Sequence, residues 1–418
     1  MIGLVDGNNF FVSCERIFDP SLEGKAVAVL SNNDGCCISR SNEFKALNIP
    51  MGTPYFQLKE KLRNKDIILL SSNYELYSDI SSRVIATLSS LVPKVEQYSI
   101  DEAFIYPPKM EYDQYEDFGK MVRNTVLRHV GIPCGVGFAP TKTLAKIANH
   151  IGKKSESGVF LMPADPRNVL ENTPVEEVWG VGRNLAPKLR RMGIRSAWKL
   201  AMADIPSLQK KFSIILGRTI LELRGTACIE EELPCELSKS ISCSRSFGNP
   251  VVSLTDLEES IAAYTAKAAE KLRKENQKAA GVTFYFEMYP EYEPSYLPAG
   301  RSSASFIFPV PVNETNRILT SIRPFLKKIF IPGRRYKKSG VLFFGLESCD
   351  SLQGDLFAPP EVDPAASNLY KAIDKLNSRM GKGTIFTLAE GIRKPWQMRR
   401  ERLTPHYTTS WEDLLIVK

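Results

Sequence analysis

The apolar runs of this sequence are short. The longest, such as KAVAVL and SGVLFFGL, have the length of single β-strands and fall far below the roughly 18 to 20 residues that a membrane-spanning helix needs. Amphipathic segments lie between them, for example residues 74–91 and 115–129. Up to about residue 165 the two patterns mix without strict alternation, which predicts an α+β core with antiparallel strands. The chain starts without a basic-then-apolar leader, so we expect a cytoplasmic protein with no membrane partner.

The segment YSIDEAF places Asp101 and Glu102 side by side between apolar residues. Its flanks resemble a short core strand, where unpaired carboxylates would cost roughly several kcal/mol in lost hydration. We therefore expect a cation at this point. Asp6 stands in a similar context, at the end of the apolar run IGLV and before a Gly-Asn-Asn turn.

These three acids are candidate ligands of one metal site. Mg²⁺ prefers carboxylate oxygens together with substrate phosphates. Two such ions, about 3.5 to 4 Å apart, stabilise the attacking and leaving oxygens in phosphoryl transfer. A lone acid at a strand end more often caps the strand or pairs with a lysine. Three acids in two apolar contexts favour the metal site.

Lysines offer complementary charge. Lys142 and Lys146 lie four residues apart on the predicted helix after GVGFAPT, so that one helical face could present positive charge toward a triphosphate. Lys45 offers the same from the segment after DGCCISRSNEF. The alternative for each lysine is a solvated helix face, and only the combination with the acids favours a binding role.

Several catalytic patterns are absent from the sequence. It has no G-x-x-x-x-G-K-[ST], G-x-G-x-x-G, G-x-S-x-G or H-E-x-x-H motif, so P-loop, dinucleotide-binding, α/β-hydrolase and zincin chemistry have no support. Its eight cysteines form no C-x-x-C pair and it has three histidines, so zinc-ligand spacing is missing as well. A reducing compartment fits this cysteine usage.

Residues 166–232 show helical periodicity and few strand signals. Within them, VEEVWGVGRNLAPKLRR predicts a helix, a turn at Gly180 and Gly182, and a second helix. Such a hairpin offers free backbone N–H groups at a helix N-terminus, which bind a phosphate without reading sequence. An ordinary αα-hairpin with a glycine turn explains the pattern equally well.

Residues 239–348 predict a second α+β unit. Strand and helix patterns alternate in a β-α-β-β-α-β order, and a Thr255–Glu258 capping box predicts the start of the first helix. The net charge is +8, and residues 323–338 contain seven basic and no acidic residues, which favours a nucleic-acid partner. Residues 351–367 are rich in proline, small and acidic residues, and we expect them to be flexible.

Five motifs stand in the order and spacing of a known family: LVDGNNFFVSCE, SNNDGCCISRSNEFKAL, SSNYELYSDIS, YSIDEAF and GVGFAPTKTLAKIAN. They resemble the Y-family translesion DNA polymerases, and WQMRRERLTPHYTTSWEDLL extends the resemblance almost to the last residue. Within that family the chain is most similar to the UmuC-type branch, the catalytic subunits of bacterial DNA polymerase V.

The resemblance implies an α+β, multidomain, right-hand polymerase. Its parts would be a palm (1–19 and 71–165), fingers (20–70), a helical thumb with a helix-hairpin-helix (166–232), an α+β little finger (239–348) and a flexible C-terminal tail (349–418). It also implies the activity, a template-directed DNA polymerase that performs error-prone translesion synthesis during SOS-type DNA damage tolerance.

The family's site residues carry over position by position. Asp6, Asp101 and Glu102 match the catalytic acids that hold two Mg²⁺ ions, with the Gly7 carbonyl as a further ligand. Five residues match the family's nucleotide contacts: the steric-gate aromatic Phe11, which excludes a ribose 2′-hydroxyl, Ile38 and Ser39 over the base pair, and Lys45 and Lys146 at the phosphates. Asn42 departs from the family, where other branches have a tyrosine that contacts the triphosphate. For Phe10 we expect core packing.

The resemblance also implies macromolecular partners. The primer-template DNA would meet backbone at Gly180 and Gly182 and basic little-finger residues, namely Arg245, Arg334, Arg335, Lys337 and Lys338. The peptide QGDLF resembles a sliding-clamp-binding motif through Gln353, Leu356 and Phe357. Further implied partners are the incoming dNTP, a processed UmuD′-type dimer and a RecA filament.

Two rival hypotheses remain at this point. A palm-type nucleotidyl cyclase also uses two metals and carboxylates on a similar sheet, but it has no need for a thumb hairpin or a basic little finger. A non-catalytic DNA- or clamp-binding scaffold is the other, and the intact acids argue against it.

Overall fold

A computed structural model describes residues 1–61, 67–230, 237–290, 300–350 and 364–416 of the 418-residue chain. The chain divides into two compact units. The first contains Met1–Val29, Cys37–Glu232 and Leu403–Lys418, and the second contains Leu30–Cys36 and Leu233–Arg402. Among the described residues, no helix is both long and apolar enough to cross a membrane.

Before the helical region of the first unit, the described residues contain the strands β1 (Ile2–Gly7), β2 (Ala26–Leu30), β3 (Cys37–Arg40), β4 (Ile67–Ser71), β5 (Lys94–Gln97), β6 (Glu102–Tyr106), β7 (Cys134–Ala139) and β8 (Val159–Leu161). A five-stranded sheet has the order β5-β6-β1-β7-β8, and a three-stranded sheet has the order β3-β2-β4. In the larger sheet, β1 is antiparallel to both neighbours and only β7 and β8 run parallel. The prediction of an α+β core with antiparallel pairing is confirmed.

Six helices accompany these strands: α1 (Phe10–Phe18), α2 (Asn42–Lys45), α3 (Tyr55–Lys61), α4 (Tyr74–Leu91), α5 (Gln114–Val130) and α6 (Lys142–Gly152). Alternation along β1 separates two cores, because successive strand residues point to opposite faces of the sheet. Val5 packs into the core that holds α1, α4 and α5, whereas Leu4 packs into the core that holds α6.

Helix α6 lies unusually close to the sheet because β7 has glycine where the helix crosses it. A Cβ atom at Gly137 would stand 2.1 Å from the backbone nitrogen of Asn149. The Asn149 amide also donates hydrogen bonds to the carbonyl oxygens of Leu4 and Gly135, at 3.1 and 2.8 Å. These contacts set the position of α6 relative to the ends of the central strands.

The region 166–232 is helical, as predicted, with α7 (Arg167–Asn172), α8 (Ala186–Arg191), α9 (Ala197–Ala201), α10 (Ile205–Lys211) and α11 (Ile214–Leu223). Its apolar residues continue the core under α6. The buried Glu222 carboxylate accepts the N–H of Thr143 in the first turn of α6 and the N–H of Cys228. This carboxylate links α11 to the start of α6.

The second unit contains β9 (Ser240–Val251), α12 (Leu254–Lys274), β10 (Gln277–Met288), β11 (Arg301–Val312), α13 (Thr315–Ile329) and β12 (Tyr336–Ser348). The β-α-β-β-α-β order is confirmed, and the four strands form one sheet in the order β11-β10-β12-β9. The capping prediction is wrong by two positions, because Ser253 caps α12 by accepting the N–H of Asp256. Ser253 and Asp256 satisfy the same local pattern as Thr255 and Glu258.

The C-terminal tail is more ordered than the expected flexible segment. Its described part begins with α14 (Pro364–Met380), so the last residues of the stretch expected to be flexible are helical. Tyr370 and Trp396 are each 4% exposed, and Asp374 forms an ion pair with Arg273 of α12. Buried aromatic residues and a charge pair hold this part of the tail in the second unit.

Candidate active site

The first unit brings the three predicted acids together at one end of its central sheet. Asp6 on β1 and Glu102 on β6 are direct partners in the antiparallel register. The Gly7 N–H donates to the Asp101 carbonyl at 2.9 Å, which places Asp101 beside the same strand end. Like charges directly opposite each other destabilise a sheet, so this arrangement requires compensating positive charge.

Two lysines of the α6 region supply that charge. Lys153 Nζ lies 2.6 Å from Asp6 Oδ1, and Lys146 Nζ lies 2.8 Å from Glu102 Oε2. The four side chains are between 15 and 28% exposed, so both pairs are in contact with solvent. Asp101 instead accepts a hydrogen bond from the Ser99 hydroxyl at 2.5 Å.

Burial dominates the electrostatics of Asp6. Desolvation raises the pKa of its carboxyl to about 7, the Lys153 charge and hydrogen bond oppose the rise, and Glu102 and Asp101 add to it. A carboxylate in this position is stabilised by any further cation that reaches it.

The donor chemistry of this cluster fits Mg²⁺, because three carboxylates and a backbone carbonyl are hard oxygen donors. Within the described ranges, no three His, Cys, Asp or Glu side chains are gathered closely enough to hold a metal ion. Each of the three acids has another partner: Lys153 for Asp6, Lys146 for Glu102 and Ser99 for Asp101. A metal ion at these carboxylates would compete with the two lysines for their oxygens.

Lys146 takes part in the site, whereas Lys142 does not. The Lys146 ammonium lies 4.2 Å from the ring centre of Tyr98 and 5.1 Å from that of Trp179, in addition to its pair with Glu102. Lys142 is 3% exposed and forms a 2.7 Å ion pair with Glu96. The expectation that both lysines face a triphosphate is thus wrong for Lys142, because its side chain is directed into the core.

Phe11 lies at the start of α1, five residues after Asp6. Its ring stacks on that of Tyr77 with centres 4.4 Å apart. The ring of Tyr74 is perpendicular to it, with centres 6.1 Å apart. Phe10 is 4% exposed and packs in the core, as expected.

The region predicted as fingers contacts the turn before α1. Asn42 Oδ1 accepts a 3.0 Å hydrogen bond from the Asn9 side chain, and the Ser39 hydroxyl donates to the Asn9 carbonyl at 3.4 Å. Asn9 has φ of 50°, a left-handed conformation in which these bonds help to hold it. Asn42, which departs from the family pattern, thus supports the backbone that leads into Phe11.

The remaining predicted nucleotide contacts lie around this turn. Ile38 is half-buried on β3, whereas Lys45 is exposed at the end of α2. Partial desolvation lowers the pKa of Lys45, with smaller contributions from the positive charges of Arg40 and Lys153 and an opposing one from Asp6. The charge of Lys45 is thus influenced by that of Asp6.

Sequence reasoning missed Lys153 and Gly135. Lys153 follows Lys146 by seven residues, two helical turns, so the same helical face could have been extended to it. Gly135 is the register partner of Asp6 on β7, and a Cβ atom there would lie 2.6 Å from Lys153 Cγ. The missing side chain leaves the space through which Lys153 reaches Asp6, and no local pattern in the sequence indicates this.

The predicted DNA contacts differ in accessibility. Gly180 has φ of +87°, which favours glycine, and among the described residues no heavy atom lies within 4 Å of a Cβ built on Gly182. On β9 and around β12, Arg245 and Arg335 are exposed, and Lys337 and Lys338 are half-buried. Arg334 is only 8% exposed, which argues against a phosphate contact for its side chain. The predicted clamp-binding residues Gln353, Leu356 and Phe357 lie outside the described residues.

Comparison with known proteins identifies the class. Residues 5–150 match the model of the impB/mucB/samB family, and residues 238–356 match that family's C-terminal domain. Residues 367–417 match a domain of unknown function, DUF4113. The solved structure of a Y-family DNA polymerase chimera, Dbh-Dpo4(243-245)-Dbh, is similar with a TM-score of 0.66 at 20% identity and covers 83% of this chain and 100% of that chain.

Proteins of similar sequence indicate the family and the branch within it. Protein UmuC of Salmonella typhimurium strain LT2 is 41% identical over 426 residues and covers the whole of both chains. Protein ImpB of Salmonella typhimurium is 40% identical over 427 residues with the same coverage, and DNA polymerase IV 1 of Halalkalibacterium halodurans is 31% identical over 214 residues, about half of each chain. The chain belongs to the impB/mucB/samB family. The predicted resemblance to the UmuC-type branch is confirmed.

Proposed function

We propose that this chain is a template-directed DNA polymerase that performs error-prone translesion synthesis in SOS-type DNA damage tolerance. The observation that carries the proposal is the convergence of Asp6, Asp101 and Glu102 at adjacent strand ends, faced by Lys146 and Lys153. The names of full-length and partial relatives, UmuC and DNA polymerase IV, support the same activity.

Asp6, Asp101 and Glu102, with the Gly7 carbonyl, would hold two Mg²⁺ ions. When bound, these ions neutralise phosphate charge and make the primer 3′-hydroxyl a better nucleophile. The primer 3′-oxygen would form a bond to the α-phosphorus of the incoming deoxynucleotide, the bond from that phosphorus to the bridging oxygen would break to release pyrophosphate, and the hydroxyl proton would pass to solvent water. Lys146 and Lys153, released from the acids, are in position to contact phosphate oxygens of the nucleotide, and Lys45 adds charge nearby.

Phe11 would select the sugar. Its ring, stacked on the fully buried Tyr77, cannot move away from an incoming nucleotide without disturbing the core. A ribose 2′-hydroxyl would crowd this ring, whereas deoxyribose would not. Ile38 and Ser39 would lie over the base pair.

DNA would bind through backbone at Gly180 and Gly182 and through Arg245, Arg335, Lys337 and Lys338. Phosphate contacts of this kind release counterions, so binding would weaken steeply with salt. The domain names and boundaries, a sliding clamp at Gln353, Leu356 and Phe357, a UmuD′-type dimer, a RecA filament and a cytoplasmic location belong to the same proposal.

Primer extension across an abasic site tests the activity. The assay contains full-length protein, Mg²⁺, all four deoxynucleotides and the partner subunits. We expect extension past the lesion by the wild type and none by Asp101→Asn, with circular dichroism verifying that the variant is folded. Extension by Asp101→Asn at the wild-type rate would contradict the assigned role of these acids.

The same assay separates the two rivals. A nucleotidyl cyclase would release pyrophosphate without a template, and a scaffold would bind DNA without extending it. Template-dependent products from the wild type contradict both, and the family membership already favours the polymerase.

A further inference from the structure

The end of the chain returns to the first unit and packs behind Phe11. Tyr407 stacks on Phe18, the last residue of α1, with ring centres 4.8 Å apart and planes 6° apart. His406 Nδ1 lies 3.7 Å from the Glu75 carboxylate in the first turn of α4. The segment Thr404–Tyr407 therefore contacts both helices that support the phenylalanine, α1 and α4.

The tail also binds the residue that caps α4. Asn73 is 2% exposed, and its side-chain oxygen accepts the N–H of Leu76 at 3.3 Å. Its side-chain nitrogen donates to the Thr404 hydroxyl oxygen at 3.2 Å and to the Pro405 carbonyl at 3.3 Å. The tail thus satisfies the cap residue of the helix that carries Tyr77 in its first turn.

A buried carboxylate completes the connection. Glu15 is 1% exposed and accepts a 2.6 Å hydrogen bond from the Tyr77 hydroxyl. Tyr77 in turn stacks on Phe11. A continuous set of contacts runs from Thr404 through Asn73 and the first turn of α4 to Tyr77 and the proposed sugar-selecting ring.

We propose that Thr404–Tyr407 is a positioning segment for sugar selection: by holding Asn73, and with it the first turn of α4 that carries Tyr77, it fixes the ring of Phe11 against the nucleotide sugar. The inference rests on the proposed polymerase function and assigns a role to the last part of the region that matches a domain of unknown function. A steric filter discriminates only as sharply as its position is fixed, because a ring that can retreat admits the larger sugar.

The test is a comparison of ribonucleotide and deoxynucleotide insertion by full-length protein on undamaged primer-template. Thr404→Val removes the hydroxyl at constant shape. We expect about a tenfold rise in the ratio of kcat/KM for ribonucleotide to that for deoxynucleotide, the effect of losing about one hydrogen bond. The change should appear mainly as a lower KM for the ribonucleotide, with kcat for the deoxynucleotide within about twofold of wild type. Thr404→Ser, which keeps the hydroxyl, should restore discrimination.

Three controls keep the result interpretable. Thr409→Val makes the same substitution at an exposed threonine close to the segment and should change nothing. Tyr77→Phe, which removes the hydrogen bond from Tyr77 to Glu15, should raise the ratio. The double variant Tyr77→Phe/Thr404→Val should fall short of the product of the single effects, because both act through the position of the ring at residue 77. Should Thr404→Val fail to fold, Tyr407→Leu at the other end of the segment takes its place with the same expectation.

The Phe11→Ala variant separates the positioning role of Thr404–Tyr407 from the proposed polymerase function. If Phe11→Ala admits ribonucleotides while Thr404→Val and Tyr407→Leu discriminate like wild type, the positioning role is overturned and the polymerase proposal stands. If wild-type protein makes no template-directed product, the proposed function itself fails.

Discussion

Helix α6 and its end form three lysine–carboxylate pairs, and the first differs from the other two. Lys142 and Glu96 are only 4 and 8% exposed, and their pair is 2.7 Å long. The Tyr106 hydroxyl also donates to Glu96, and the Lys142 ammonium donates to the Glu230 carbonyl. This pair has its polar atoms satisfied within the protein.

The pairs Lys146–Glu102 and Lys153–Asp6 are two to several times more exposed. Two further charged groups, Asp101 and Lys45, lie nearby and take no part in either pair. A buried ion pair keeps its geometry, whereas a solvent-accessible ion pair can exchange partners when a metal ion and a phosphate bind. Lys142, which has a structural role, is buried and has its hydrogen bonds completed within the protein. Lys146 and Lys153, which we propose to bind the nucleotide, are partly exposed.

The largest effect on kcat is expected for Asp6→Asn. Loss of one metal ligand should lower kcat for primer extension on the order of 10⁴-fold, since metal sites supply several kcal/mol of transition-state stabilisation. The free energy of unfolding should not fall, because the substitution removes a desolvated like charge from the strand ends. Steady-state kinetics and urea unfolding measure the two effects. Reduced stability with a normal kcat in the Asp6→Asn variant would reverse our assignment of this pair.

Lys142→Met should have the opposite effect to Asp6→Asn, with a loss of stability and little change in activity. Removal of the cation leaves the Glu96 charge buried, and we expect the free energy of unfolding to fall by about 3 to 5 kcal/mol. Activity measured well below the unfolding transition should stay within about twofold of wild type. The double variant Lys142→Met/Glu96→Gln should recover part of the lost stability, and urea unfolding of all three proteins checks this. A large loss of activity in folded Lys142→Met would place Lys142 in the site.

A smaller effect is expected for Lys153→Met. Loss of one charged contact to the nucleotide phosphates should raise KM for deoxynucleotides by about 30-fold, with little change in stability. The neighbouring exposed Lys154 offers a matched control, since Lys154→Met should leave KM unchanged. Equal KM values for the two variants would show that the contact of Lys153 with Asp6 has no functional counterpart.

Glu15 extends the comparison to a buried carboxylate without a lysine. Burial raises the pKa of Glu15 to about 7, opposed by hydrogen bonds from Tyr77 and Thr404 and assisted by Asp19. The native state therefore binds more protons than the unfolded state between about pH 4.5 and 7, so wild-type stability falls as the pH rises through this window. The free energy of unfolding of Glu15→Gln should not decrease between these pH values. Above pH 7 it should be about 1 to 2 kcal/mol higher than that of the wild type. Thermal melts from pH 4 to 8 test it, and parallel profiles of the two proteins would exclude a raised pKa.

Local patterns predicted much of this molecule. The strand that begins at Glu102, the helix with Lys146, the helical region 166–232 and the β-α-β-β-α-β unit all follow from periodicities of two or 3.6 residues and from turn residues. Such signals depend on neighbours within a few positions of the chain. The error at Ser253 has the same origin, because two overlapping Ser/Thr-x-x-acid patterns precede one helix and only the packing of α12 selects between them.

The sequence by itself determined the kinds of elements and the chemistry available to them: acids at apolar strand ends, lysines on an amphipathic helix and an aromatic residue after the first strand. Only the tertiary structure decided which of these groups meet. The glycines of β7 set how closely α6 approaches the sheet, and that approach directs Lys142 inward and Lys153 to Asp6. The tail reaches Asn73 from the opposite end of the chain. Contacts between residues so distant in sequence depend on the packing of whole elements, which no local pattern encodes.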